Sequence, residues 1–156
     1  MPPNTPDTVF AALHTAAQHS TGARLFTVTV LDRAAGLARR AYTSHPVDYP
    51  SSGTKPMRKD GWTDRVLGDR QSFVANSTLE FSGYFPDHAL INALGCEAAM
   101  NIPVTDDTGQ VVGTVNILDA AGHFTPERAA RLEALVAAHR TELLAAMAQI
   151  PMEHQQ

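Results

Sequence analysis

The fold of this chain is decided by two stretches in its C-terminal half, LGCEAAMNIPV at residues 94–104 and GQVVGTVNIL at residues 109–118. Both are rich in apolar and β-branched residues, which favour strands. The DDTG segment at residues 106–109 has the composition of a hairpin turn. The pattern predicts two neighbouring antiparallel strands, at residues 97–104 and 111–119.

Each of these strands carries one amide in its middle, Asn101 and Asn116. Alternation places Asn101 on the face opposite Met100 and Ile102, and the same holds for Asn116 in its own strand. A buried amide without a hydrogen-bond partner costs about 1–3 kcal/mol. We expect both side chains to point into a covered cavity and bind a ligand; the alternative is that they bond to nearby loop backbone and are structural.

The N-terminal third predicts a helix and a hairpin. Thr5-Pro6-Asp7 is a typical helix start, and Gly22 ends that helix. Residues 25–31 (LFTVTVL) alternate strictly, with Thr27 and Thr29 on one face, and residues 37–44 form the partner strand.

The middle of the chain predicts loops and short elements. Residues 45–61 contain three prolines and two glycines, so we expect a long connection with little regular structure. A helical turn, a short strand, an irregular stretch and a short helix follow, at residues 62–67, 72–75, 76–86 and 87–94. A last helix begins at Thr125-Pro126-Glu127 and runs to about Ile150, where Pro151 stops it.

This order of elements indicates an α+β fold with a largely antiparallel sheet. The terminal helices are expected on one face of the sheet, and the loops on the other, with a cavity beneath them. We predict one domain at residues 6–150, with flexible tails at residues 1–5 and 151–156.

Three motifs in order resemble the GAF domain family. They are a Gly before a strand that ends in an apolar-Pro-apolar triplet (residues 95–104), a turn Gly leading into "apolar-Gly-small-apolar" (residues 109–118), and HFTPE (residues 123–127) entering a helix. The resemblance extends over about residues 6–148.

The resemblance implies a central antiparallel sheet of five or six strands, terminal helices that often mediate dimerisation, and a ligand pocket on the other face. GAF domains bind cyclic nucleotides, bilins, haem, amino acids or small aromatic compounds, and a few reduce free methionine sulfoxide. The chain matches neither the cyclic-nucleotide signature nor the bilin-binding context. Its single cysteine, Cys96, differs from the several cysteines of the sulfoxide reductases.

Composition limits the partners. The 156 residues carry a net charge of −4, with no basic patch, so we expect no nucleic-acid binding. One cysteine, an N-terminus unlike a signal peptide and no long apolar run favour a cytoplasmic protein that does not bind membranes. The seven histidines are scattered, and we expect neither a metal nor a cofactor.

Further candidate ligand-binding residues come from the second strand and the loops. Each also has a structural interpretation: a half-exposed strand end, a solvated lysine, loop packing or a helix cap. We expect them to surround the cavity together with the two asparagines; they are Tyr42, Ser44, Lys55, Trp62, Phe81 and Asp87.

His88 and Cys96 are candidate catalytic residues. A histidine titrates near neutral pH and can act as acid or base, and a neighbouring cysteine could form a Cys–His pair with it. The structural alternatives are a partly exposed helix histidine and a buried, inert thiol.

Three functions follow from these observations. The first is a stand-alone module that binds a small polar or anionic organic molecule. The second is a small cofactor-independent enzyme that uses His88, with Cys96 or Lys55, on a carbonyl or carboxylate compound. The third is a dimerisation module, in which two copies of the chain pair through their terminal helices.

Overall fold

The computed structural model describes residues 5–50 and 53–151. The predicted tails, residues 1–5 and 151–156, therefore lie almost entirely outside the described residues. The helices are α1 (Pro6–Ser20), α2 (Gly61–Thr63), α3 (Thr78–Phe81), α4 (His88–Ala93), α5 (Pro126–Ala138) and α6 (Arg140–Ala148), and a π-helical turn covers Asp64–Gly68.

The described strands form one six-stranded antiparallel sheet in the order β3-β2-β1-β6-β5-β4. This confirms the predicted α+β, GAF-like fold class. The strand bounds are β1 (Leu25–Asp32), β2 (Leu37–Thr43), β3 (Thr54–Pro56), β4 (Phe73–Ala75), β5 (Ala98–Thr105) and β6 (Val111–Asp119). The two predicted hairpins, β1–β2 and β5–β6, meet where β1 pairs with β6.

The terminal helices cover one face of the sheet, as the sequence predicts. Thr5 caps α1 by accepting a hydrogen bond from the backbone of Thr8, and Thr125 caps α5 in the same way. The core between sheet and helices is built from buried side chains, each of which contributes about 1.5–3 kcal/mol by leaving water. The largest fully buried ones are Phe10, Leu13, Phe26, Met100, Ile117, Leu132 and Leu143.

The long C-terminal helix of the sequence prediction is two helices. The chain leaves helical geometry at His139 (φ −100°, ψ 10°), between α5 and α6. The imidazole Nδ1 of His139 lies 2.9 Å from the carbonyl oxygen of Leu135, which gives that carbonyl a second partner at the break. None of the helices in the described ranges is long and apolar enough to cross a bilayer.

A β-bulge in β2 changes which side chains face the helices. Val28 pairs with Tyr42, but Thr29 pairs with Arg40, so that Ala41 is the extra residue. Tyr42 and Arg40, which simple alternation places on one face, therefore lie on opposite faces of the sheet.

The opposite face is covered by the middle of the chain, and it is more regular than predicted. Residues 54–56, which we expected to be irregular, form β3 and pair with β2. Residues 78–81, also expected to be irregular, form α3. A second core cluster lies under this layer; it consists of Leu25, Tyr49, Ala75, Phe81, Ile91, Cys96, Ala99 and Leu118.

The close packing of α6 on the sheet depends on Gly113 in β6. A Cβ at this position would lie 2.4 Å from the carbonyl oxygen of Thr29 and 3.0 Å from the Sδ of Met147. No side chain therefore fits between β1, β6 and α6.

We predict that Gly113→Ala lowers the free energy of unfolding by about 1–3 kcal/mol, because backbone and α6 must both move. Urea denaturation followed by circular dichroism measures it. Gly83→Ala is the matched control, since a Cβ there meets nothing within 4 Å. Equal stability of the two variants would contradict this packing.

Candidate functional site

A cavity of about 500 Å³ lies between the sheet and the loop layer. Its volume is in the range of pockets that enclose small organic ligands, about 300–1,000 Å³. Strands β1, β2, β5 and β6 form its floor, and the segments that contain β3, α2 and residues 84–87 form its walls.

The floor carries a row of hydrogen-bonded polar side chains across three strands. Pairing places Asn101 directly opposite Asn116, and Asn116 opposite Thr27. Asn101 Nδ2 donates to Asn116 Oδ1 at 2.8 Å, and Asn116 Nδ2 donates to the hydroxyls of Thr27 and Thr29 at 3.1 and 3.0 Å. Trp62 Nε1 donates to Asn101 Oδ1 at 2.9 Å and ties the wall to the floor.

One wall is a cluster of Arg40, Tyr49 and Asp87. The phenol of Tyr49 donates a hydrogen bond to Asp87 Oδ2. Burial and this hydrogen bond raise the pKa of Tyr49 far above its ordinary value, so the phenol keeps its proton. The guanidinium of Arg40 lies 4.5 Å from the centroid of the Tyr49 ring and donates to the carbonyl of Pro50.

Lys55 projects from β3 at the cavity. Its ammonium lies 5.9 Å from the centroid of the Phe85 ring, and no carboxylate of the described residues forms an ion pair with it. Desolvation lowers the pKa of Lys55, and Arg40 and Arg58 lower it further, against the opposing effect of Asp87. Lys55 is an exposed residue, yet it also lines the cavity. Atoms of the cavity therefore replace part of the water around its charge, which is consistent with the lowered pKa.

Five of the predicted ligand-binding residues line this cavity: Lys55, Trp62, Asp87, Asn101 and Asn116. Asp87 stands at the start of α4 but makes no capping hydrogen bond with its side chain, which bonds to Tyr49 instead. The role of these five residues as ligand contacts stays a prediction.

Tyr42 and Ser44 do not line the cavity. Because of the bulge at Ala41, Tyr42 faces the terminal helices, where its hydroxyl lies 3.1 Å from Nδ1 of His14. Ser44 closes the end of β2: its hydroxyl accepts from the backbone of Phe26 and lies 2.7 Å from Nδ1 of His45. Their predicted position at the cavity was wrong for this geometric reason.

Phe81 and His88 also lie outside the cavity lining. Phe81 is fully buried in the second cluster, 5.3 Å from Phe85 between ring centroids. His88 is half-buried, and its Nδ1 lies 2.8 Å from the carbonyl oxygen of Phe85. Phe85 is therefore the ring that lines the cavity, and Phe81 packs against Phe85 on the side away from the cavity. Phe85 and Trp62 together are called the aromatic wall below.

Cys96 has the surroundings of a structural thiol. It is completely buried, and burial, with a smaller contribution from Asp119, raises its pKa from 9.0 to about 11. No hydrogen bond joins it to His88 in the described part of the chain. The predicted Cys–His pair is not assembled, because His88 is held by Phe85 while Cys96 points into the second cluster.

Sequence reasoning missed several cavity residues. Thr27 and Thr29 were recognisable, since they alternate with the apolar residues of β1. Arg40 was also recognisable, since alternation places it on the strand face that was assigned to the cavity, whereas Tyr49 and Phe85 were hidden because each sits in an irregular segment whose path the sequence does not define.

The charged groups at the cavity are Arg40, Lys55 and Arg58 against Asp60 and Asp87. Both carboxylates are already engaged: Asp60 caps α2 by accepting from the backbone of Thr63, and Asp87 accepts from Tyr49. The described residues contain no group of three His, Cys, Asp or Glu side chains placed to hold a metal ion.

The family of this chain follows from its sequence and agrees with the geometry above. The model of the GAF domain family matches residues 3–139. The chain therefore belongs to the GAF domain family, whose members commonly bind small ligands in sensor proteins. No curated protein sequence matches the chain significantly.

Solved GAF domains share the fold at low sequence identity. The GAF domain/HD domain protein from Geobacter sulfurreducens superposes with a TM-score of 0.73 at 17% identity, covering 96% of this chain and 99% of that one. The GAF domain of a two-component sensor histidine kinase from Bacillus halodurans gives 0.72 at 12% identity, covering 90% and 94%. The second GAF domain of DevS from Mycobacterium smegmatis gives 0.64 at 19% identity, covering 92% and 96%.

We predict that Cys96 reacts with Ellman's reagent only after unfolding. Because its folded pKa of about 11 exceeds the unfolded value of 9.0, the folded state holds the proton more tightly. Its contribution to stability is complete below pH 9 and is lost as the pH rises toward 11. Urea denaturation of the wild type and of Cys96→Ala across that pH range measures this loss of stability. Rapid labelling of the native protein by Ellman's reagent would refute the prediction that the thiol is inaccessible.

Proposed function

We propose that this GAF domain binds a small polar organic ligand in the cavity between sheet and loops, and that the ligand is an organic anion. Its apolar part would contact Trp62, Phe85 and the leucines of β1. Aromatic and aliphatic walls with a few converging polar groups are typical of such sites.

The observation that carries the proposal is the ammonium of Lys55. It stands at the cavity beside Arg40 and Arg58, and among the described residues it has an aromatic ring as its neighbour and no carboxylate partner. The cavity lining carries three cationic side chains against the two carboxylates of Asp60 and Asp87, so its net charge is positive. A ligand carboxylate would neutralise it.

The enzyme alternative has less support. Acid–base chemistry by His88 would require the imidazole at the cavity, and nucleophilic chemistry by Cys96 would require a thiolate; the imidazole bonds to Phe85 and the thiol is buried. Dimerisation through the terminal helices is compatible with ligand binding, and we include it, with a cytoplasmic location, in the proposal. Sedimentation equilibrium tests the dimer, and a monomer at micromolar concentration would remove it.

We predict that Lys55→Met weakens binding of small carboxylates about 10- to 100-fold, the loss expected for a charge-assisted hydrogen bond. Calorimetric titration with levulinate and 4-acetylbenzoate measures the change. Lys59→Met, which removes a nearby lysine outside the cavity lining, is the control and leaves affinity unchanged. Equal affinity of the wild type and Lys55→Met, or no binding to the wild type, would refute the proposal.

The same titrations have a predicted pH dependence. Only protonated Lys55 binds a carboxylate strongly, and the pKa of Lys55 is lowered by desolvation. Affinity should therefore fall as the pH rises, and the fall should begin below 10.5, the ordinary pKa of a lysine. In Lys55→Met that fall should disappear; an identical alkaline loss in this variant would assign it to another group.

A further inference from the structure

The row of polar side chains on the cavity floor has a fixed direction. At its outer end, Trp62 Nε1 contacts Asn101 Oδ1 at 2.9 Å. An indole N–H is a donor and never an acceptor. The amide oxygen of Asn101 must therefore face Trp62, because the reverse orientation would place two donors against each other.

This constraint passes along the row. With its oxygen facing Trp62, Asn101 presents its NH₂ to Asn116, so Asn116 must present its oxygen in return. The NH₂ of Asn116 then faces β1 and uses its two hydrogens on Thr27 and Thr29. Asn101 and Asn116 are each more than nine-tenths buried, which leaves water little access to relax the arrangement.

The end of the row is a pair of hydroxyl donors. Both threonine hydroxyls accept from Asn116, so each retains its own hydrogen for donation. Among the described residues no acceptor takes either hydrogen, and both side chains line the cavity. The floor therefore offers two O–H donors to whatever fills the cavity.

We infer that Thr27 and Thr29 bind an acceptor oxygen of the ligand, and that the ligand class is an oxo acid: a carboxylate with a second, carbonyl-type oxygen. This inference rests on the proposed function, since Lys55 would hold the carboxylate. Trp62 is a positioning residue in it, because it sets the direction of the row from outside.

The two threonine donors would distinguish a ketone from a hydrocarbon group of the same shape. A ketone and a methyl-branched carbon have almost the same size, so apolar walls treat them alike. Only the ketone oxygen accepts hydrogen bonds from the threonines, so only the ketone gains from their two free hydroxyl hydrogens.

Paired ligands test this directly in the 156-residue chain. The probes are 4-acetylbenzoate against 4-isopropylbenzoate, and levulinate against 4-methylpentanoate, measured by calorimetric titration. We expect the oxo member of a pair to bind about three- to tenfold more tightly, the range for an uncharged hydrogen bond.

Variants assign the preference to the row. In Thr27→Val/Thr29→Val the affinity ratio within a pair should fall to about one, and Thr15→Val, on the exposed side of α1, is the control that keeps it. In Trp62→Phe no indole N–H fixes the orientation of the Asn101 amide, so the hydrogen bonds of the row can reverse their direction. The affinity ratio within a pair should then also fall. If the double variant does not fold, Thr29→Val alone should lower the ratio partway.

The outcomes separate the two proposals. If all four acids bind but the oxo and hydrocarbon members bind equally, the inference about the threonines is overturned while the proposed function stands. If none binds, both are overturned. Independently of ligand, nuclear Overhauser effects from the Asn116 NH₂ protons to the methyl groups of Thr27 and Thr29 should be present; their absence would contradict the direction of the row.

Discussion

The polar floor of the candidate site depends on the need to satisfy buried amides. Asn101 and Asn116 sit in the middle of the sheet, where their side chains have almost no contact with bulk water. They meet this need by bonding across strands rather than to loop backbone. Because these hydrogen bonds join side chains of β1, β5 and β6 to Trp62, they fix both the register of the three strands and the position of Trp62 at the cavity.

The two faces of the sheet differ: one carries the main apolar core and the other carries the cavity. On one face, α1, α5 and α6 cover an apolar core, and Gly113 shows how closely β1, β6 and α6 approach. On the other face, the loop layer has its own smaller core, which contains Phe81 and Cys96 and supports the aromatic wall. A cavity bounded by two separate cores can keep its shape without a ligand to fill it.

The sequence predicts those features of the fold that depend on local periodicity. The hairpins, the caps of α1 and α5 and the inward position of both asparagines follow from alternation and end signals. The cavity position of Tyr42 was wrong because one extra residue, Ala41, reverses the alternation of β2. Tyr49 escaped prediction since its placement depends on a loop whose path is set by long-range contacts.

Membership of the GAF domain family fixes the architecture, while the side chains that line the cavity are those of this chain. The central claim is that a carboxylate binds at Lys55 and an acceptor oxygen binds at Thr27 and Thr29. A crystal structure with 4-acetylbenzoate bound tests it most directly. The account predicts the carboxylate beside the ammonium and the ketone oxygen within hydrogen-bonding distance of the threonine hydroxyls; a reversed molecule, or one bound outside the cavity, would contradict it.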